Sequence, residues 1–240
     1  MHLIIDIGNA ATKIAFFKDR ELLQSNVLQG FPEQELLSII NDAQFKKVIV
    51  SSVKHFSNDF TAALSKEKVL LLSSTTKLPI PINYATSHTL GVDRIAAAVG
   101  ATVLFPHENV LCFDLGSCIT SEWITQDGTY HGGSISPGMN LRFKAMNTFT
   151  DKLPLVSAGS EKVALPGNST ESCMRAGVVN GIIYEIKGMI DFYASKYTPL
   201  KVVFTGGDAT YFESLVNMNI FVQPNLVLMG LNEILLCHEF

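Results

Sequence analysis

The chain has 240 residues, 47% hydrophobic and only 17% charged, with a net charge of −4. That length can bury one large core or two small ones. No basic run marks a nucleic-acid surface, and no apolar run reaches the roughly 18–20 residues that a membrane span needs. Residues 1–5 lead straight into a strand pattern, so no secretory leader is expected and a cytoplasmic location is. Cys112, Cys118, Cys173 and Cys237 have no C-x-x-C spacing and sit among apolar or small residues, which predicts reduced core thiols rather than a zinc site.

The first predicted strand, Leu3-Ile4-Ile5, ends in Asp6-Ile7-Gly8-Asn9, and a second apolar run, Ile14-Ala15-Phe16-Phe17, follows at once. The pattern predicts a hairpin with a carboxylate, a glycine and amide donors at its tip. Such a tip can hold phosphates on backbone N–H groups while the carboxylate organises a cation; a plain turn favours the same residues. A third strand over 21–27, a helix opened by Pro32, a buried strand over 47–52, a helix through Phe56, Phe60 and Leu64, and a strand over 69–72 follow. That order is the order of a ribonuclease H-like domain. Residues 78–84 are proline-stiffened and extended. They lead to Gly91-Val92-Asp93-Arg94 and a helix of alanines and glycines, which predicts close packing against another element.

The acid-glycine tip returns at Phe113-Asp114-Leu115-Gly116-Ser117-Cys118, close to half a chain away, and the echo favours two domains. Gly132-Gly133-Ser134-Ile135-Ser136-Pro137-Gly138 marks a tight strand-to-helix approach. Residues 151–169 read as loop. Thr170 opens a long helix, as its first residue or its cap, and Gly177 and Gly181 within it predict close helix packing. A strand over 201–204 ends in Thr205-Gly206-Gly207, which needs close backbone approach. Strand 220–222 and a closing helix over 226–236 complete the pattern.

Two Asp-x-Gly hairpins and one Thr-Gly-Gly turn resemble the acetate kinase–sugar kinase–Hsp70–actin superfamily. With Gly91-Val92-Asp93-Arg94 and the Gly-Gly-x-Ile-x-Pro-Gly stretch at 132–138, the resemblance narrows to type III pantothenate kinase. It implies an α/β chain of two duplicated ribonuclease H-like domains, 1–108 and 109–240, in an actin-like ATPase fold with ATP in a cleft between them. The implied reaction is phosphoryl transfer from ATP to the alcohol of pantothenate. Asp93 is implied as the proton acceptor. Asp6, Ile7, Gly8, Asn9, Ala10, Ala11, Thr12 and Lys13, with Ser117, are implied ATP contacts. Tyr84, Gly91, Val92, Asp93, Arg94 and Thr170 are implied pantothenate contacts, the Arg94 fork suiting a carboxylate. Asp6 would serve Mg²⁺, and Asp114 a monovalent cation, K⁺ or NH₄⁺. Relatives complete the site across a homodimer seam, so the helix near Gly177 is expected there.

Two positions depart from the family pattern. Ala10 stands where a hydroxyl is usual, and Ser117-Cys118 replaces Thr-Ala. Two other readings use part of the same pattern: a small-molecule kinase with another substrate, which has no need of the 91–94 motif, and a nucleotide-binding regulatory factor that has lost turnover. Asp6, Asp93 and Asp114, all present, weigh against the last.

Overall fold

In β1 (His2–Ile7), alternation sends Leu3, Ile5 and Ile7 to one face and Ile4 and Asp6 to the other. The structure, a computed structural model, describes residues 1–66, 68–159 and 163–238. β2 (Ala11–Lys18) runs antiparallel to β1, and β3 (Glu21–Gln29) antiparallel to β2. β4 (Lys47–Ser52) lies parallel to β1 on its other side, and β5 (Val69–Leu71) parallel to β4. The sheet order is β3-β2-β1-β4-β5.

Helix α1 (Glu33–Asn41) starts after Pro32, and α2 (Asn58–Leu64) is capped by Ser57, whose side chain accepts a hydrogen bond from Phe60 N. Leu36 and Ile40 of α1 and Phe60 and Leu64 of α2 join Leu3, Ile5, Ile7, Val48 and Val50 in one buried cluster. A single-turn 3₁₀ helix, Ser87–Thr89, precedes α3 (Val92–Leu104).

The chain continues through β6 (Asn109–Leu115), β7 (Cys118–Ile124), β8 (Tyr130–Pro137) and α4 (Met139–Thr148). Next comes α5 (Thr170–Arg175), which runs through a π-helical turn (Ala176–Asn180) into α6 (Gly181–Ala194). Then follow β9 (Leu200–Thr205), α7 (Ala209–Val216), β10 (Phe221–Val222) and α8 (Leu226–Leu236). The second sheet has the order β10-β9-β6-β7-β8. Read from its other edge it repeats the first sheet position for position, and both acidic tips leave the central strand of their sheet. The architecture is therefore α/β with two five-stranded sheets, as the repeated motif implied.

Contacts divide the chain into two units. One comprises Met1–Val110, Glu122–Gly132 and Asn225–Phe240; the other comprises Leu111–Ser121 and Gly133–Pro224. In the first, α3 and α8 pack together as the alanine- and glycine-rich pattern predicted. A Cβ at Gly230 would lie 1.8 Å from the Ala96 carbonyl oxygen, and one at Gly100 2.2 Å from that of Leu226. Only hydrogen fits at either point.

Two expectations are corrected. Gly177 has nothing within 4 Å of a built Cβ, so among the described residues no element packs against it. All four cysteines are free, but only Cys112 is buried; Cys118, Cys173 and Cys237 are exposed because they fall at a strand start, on an outer helix face and at a helix end. Among the described residues no helix is long and apolar enough to cross a membrane.

Candidate functional site

In the first unit the β1–β2 tip is closed by Gly8 N donating to Ala11 O at 3.0 Å. Asn9 and Ala10 are exposed at its crest. Gly30, at φ +65°, clamps the base: its N–H donates to Ala10 O, and its carbonyl accepts the Thr12 hydroxyl at 2.7 Å. Thr12 is fully buried, so its hydroxyl serves the loop. Ile7 is likewise buried in the core. Asp6 pairs in register with Lys13 across β2 and with Ser51 across β4. Paired residues share a face, so an amine, a carboxylate and a hydroxyl form one row.

A second group surrounds the head of α3. Gly91 precedes the helix, and the Asp93 carboxylate accepts from Arg94 N at 2.9 Å. A Cβ on Gly91 would meet that carboxylate at 2.6 Å, which explains the glycine. Arg94 is 6% exposed, and its fork is committed to Glu122 on β7, itself fully buried. Nε lies 2.9 and 3.1 Å from the two Glu122 oxygens, and Nη2 lies 2.9 Å from Oε2. The Tyr130 hydroxyl donates to the same Oε2 at 2.6 Å. Burial by itself would loosen Arg94's proton, but the hydrogen bonds and charge of Glu122 outweigh it and hold the guanidinium above its ordinary value. Burial, followed by the Glu122 charge, pushes the Tyr130 phenol well above the usual range.

Residues 81–84 pair with Tyr130: Tyr130 N donates to Pro81 O at 3.0 Å, and Asn83 N donates to Tyr130 O at 2.8 Å. This lays the half-buried Tyr84 ring against Tyr130, with centroids 6.3 Å apart and planes 25° from parallel. Gly132, at φ +86°, leaves room for the Tyr84 ring, which a Cβ would meet at 3.1 Å. Glu122 and Tyr130 went unnoticed in the sequence. The signal was a lone carboxylate in the strand pattern Ile119 to Ile124, which is otherwise apolar or small.

In the second unit the β6–β7 tip carries Asp114. Gly116 N donates to Cys118 O at 3.0 Å, and Ser117 is exposed. Two glycines wall it. A Cβ on Gly138 would lie 2.3 Å from Gly116 O and 2.6 Å from Ser117 O; one on Gly206 would lie 2.5 Å from Asp114 Oδ1. Asp208 N donates to Leu115 O at 2.9 Å, and burial raises the Asp208 carboxyl. Thr170 is the first residue of α5, not its cap. Ser169 caps the helix, in a reciprocal box with Ser172. Thr170 is exposed and lines a cavity of about 690 Å³ with Met146, Leu153, Gly167, Asn168, Ser169, Cys173 and Met174.

Among the described residues no cluster of three or more His, Cys, Asp or Glu could hold a metal. A cation at Asp6 or Asp114 would therefore complete its shell with carbonyls, water or phosphate. That suits Mg²⁺ carried on a nucleotide, which takes one or two carboxylates. The Asp6 carboxylate and the Lys13 amine fit such a group, whereas the Ser51 hydroxyl beside them is buried.

A family model described as type III pantothenate kinase matches residues 2–191. The chain is 45% identical over 235 residues to a type III pantothenate kinase of Cytophaga hutchinsonii, covering 98% of each chain. It is 42% identical over 237 residues to one of Phocaeicola vulgatus, again covering 98% of each. Among solved structures it superposes on a Campylobacter jejuni protein described as a Baf family transcriptional activator, with TM-score 0.65, 21% identity, and 97% and 96% of the two chains covered. It also superposes on component A of (R)-2-hydroxyglutaryl-CoA dehydratase from Acidaminococcus fermentans, with TM-score 0.55, 16% identity, and 98% and 96% covered.

Proposed function

The chain belongs to the type III pantothenate kinase family, and on that premise we propose how its own residues carry the reaction. It is a kinase that phosphorylates pantothenate with ATP, the entry step of coenzyme A synthesis. Such transfer asks for in-line positioning and charge neutralisation more than covalent chemistry. Asp93 accepts the proton of the substrate alcohol late in the transfer. Its carboxylate is already oriented by the Arg94 N–H at the head of α3, and that observation carries the assignment.

Tyr84, Gly91, Val92 and Thr170 bind pantothenate. Arg94 backs this site from behind rather than gripping the substrate with its fork, because Glu122 holds the fork. The backbone from Ile7 to Thr12 and the Lys13 amine meet the phosphates, with Ser117 as a further nucleotide contact. Asp6 holds Mg²⁺ directly or through water, and a bound ion there neutralises phosphate charge. Asp114 serves K⁺ or NH₄⁺. The enzyme acts in the cytoplasm as a homodimer. Gly181, Tyr184, Gly188 and Phe192 share one face of α6, with Tyr184 and Phe192 61% and 52% exposed, and that face supports the seam.

The test is a coupled ADP-release assay with pantothenate, ATP, Mg²⁺ and K⁺. Pantothenate-dependent release is expected. Silence with pantothenate and turnover of a sugar or another alcohol would overturn the reading. For the seam, Tyr184→Arg is expected to halve the mass measured by light scattering.

A further inference from the structure

The pair Arg94–Glu122 differs from the other ion pairs between side chains described. Its partners are 7% and 0% exposed, against 72% and 14% for Arg20–Glu233, and 22% and 28% for Arg142–Glu185. A buried pair is weak as a source of stability, since apolar residues of similar volume hold such a site about as well. It does differ from an apolar plug in direction. Glu122 accepts from two guanidinium nitrogens and one phenol, so the positions of Arg94 and Tyr130 are set relative to each other. Each of these residues touches one of the groups assigned to pantothenate. Arg94 presents its backbone N–H to the Asp93 carboxylate. Tyr130 carries Tyr84 on its ring and binds residues 81 and 83 through its backbone.

We propose that Glu122 and Tyr130 are positioning residues for pantothenate: through Arg94 and Tyr84 they set the spacing between the proton acceptor and the aromatic wall of the substrate site. This rests on the kinase reading above. Three segments meet at this one carboxylate, the head of α3, β7 and β8, and the extended stretch 81–84 joins them through Tyr130. None is adjacent in sequence to all the others, and backbone pairing alone ties 81–83 to Tyr130 but not to α3. A substrate that must touch both Tyr84 and Asp93 therefore senses whether Glu122 is charged and hydrogen-bonded. ATP contacts on the β1–β2 tip do not pass through the network.

The gentlest test is Tyr130→Phe, which removes the 2.6 Å bond and keeps the ring against Tyr84. Pantothenate KM is expected to rise about tenfold, because the aromatic wall and the proton acceptor are no longer held at one spacing. The KM for ATP should stay within about twofold. A second variant separates positioning from stability. Arg94→Met, Glu122→Leu and Tyr130→Phe together replace the network with apolar groups, and the lone Trp123 beside it on β7 reports unfolding by fluorescence. This triple variant is expected to melt near the wild type yet bind pantothenate at least tenfold more weakly by calorimetry.

Wild-type pantothenate KM in Tyr130→Phe overturns the proposal, as does wild-type affinity in the triple variant. Should the triple variant fail to fold, the Tyr130→Phe split between the two KM values decides. If KM for ATP rises as much as that for pantothenate, the network is structural and the proposal falls. If the wild-type enzyme does not phosphorylate pantothenate at all, it is the kinase reading that fails.

Discussion

The two acidic tips share a strand order and an Asp-x-Gly motif, yet they are built differently. At the first, Asn9 and Ala10 stand exposed, and a Cβ on Gly8 would meet only the Ala11 carbonyl, at 3.2 Å. At the second, Gly138 and Gly206 press backbone against the loop so closely that neither could carry a side chain unmoved. An open tip with one carboxylate suits a small cation that keeps its water and shares phosphate oxygens. The K⁺ or NH₄⁺ proposed at the walled tip is a larger cation, which would exchange water for carbonyl oxygens. Duplication repeated the topology, and the glycines outside the motif set the packing of the two tips apart.

The contrast breaks first on activity. Asp6→Asn should lower kcat by about 10²–10³ in the coupled assay, comparable to losing a dedicated electrostatic group. Asp114→Asn should lose its response when K⁺ is exchanged for Na⁺ while keeping some turnover. Equal K⁺ dependence in the two variants would erase the distinction. On stability, Gly206→Ala combines a φ of +92° with backbone contacts of 2.6 Å and should cost about 3–5 kcal/mol by urea denaturation. Gly8→Ala should cost under about 1 kcal/mol.

A smaller effect lies at Ser51. The residue is 1% exposed and its buried hydroxyl has no hydrogen-bond partner, whereas Ser52 accepts from Lys54 N at 3.0 Å. Ser51→Ala should stabilise by about 1 kcal/mol and Ser52→Ala should destabilise by a similar amount. The smallest effect is at Asp208 beside the walled tip. Burial raises its carboxyl in the fold, so its contribution favours the fold at low pH and is lost as pH rises through the raised value. Asp208→Asn should flatten the dependence of Tm on pH above about 4, the ordinary carboxylate value.

Local chemistry made several features readable in advance. An apolar strand must end where Asp-x-Gly turns it, and alanine with glycine along α3 can only mean close approach. The approach is to α8, from the far end of the chain. Other features depend on residues far apart. Thr12 looked like a phosphate donor and instead ties down Gly30. Arg94 looked like a substrate fork and instead holds Glu122, 28 positions away. Gly177 looked packed and is open within its own chain.

Alone, the order of residues determined the two sheets, the two acid-glycine tips and the turn that offers Asp93, because each follows from short-range pattern and backbone freedom. Tertiary structure decided which polar groups remain available to a ligand. A buried hydroxyl or guanidinium must find a partner, and which partner it finds depends on segments the fold brings together rather than on neighbours along the chain.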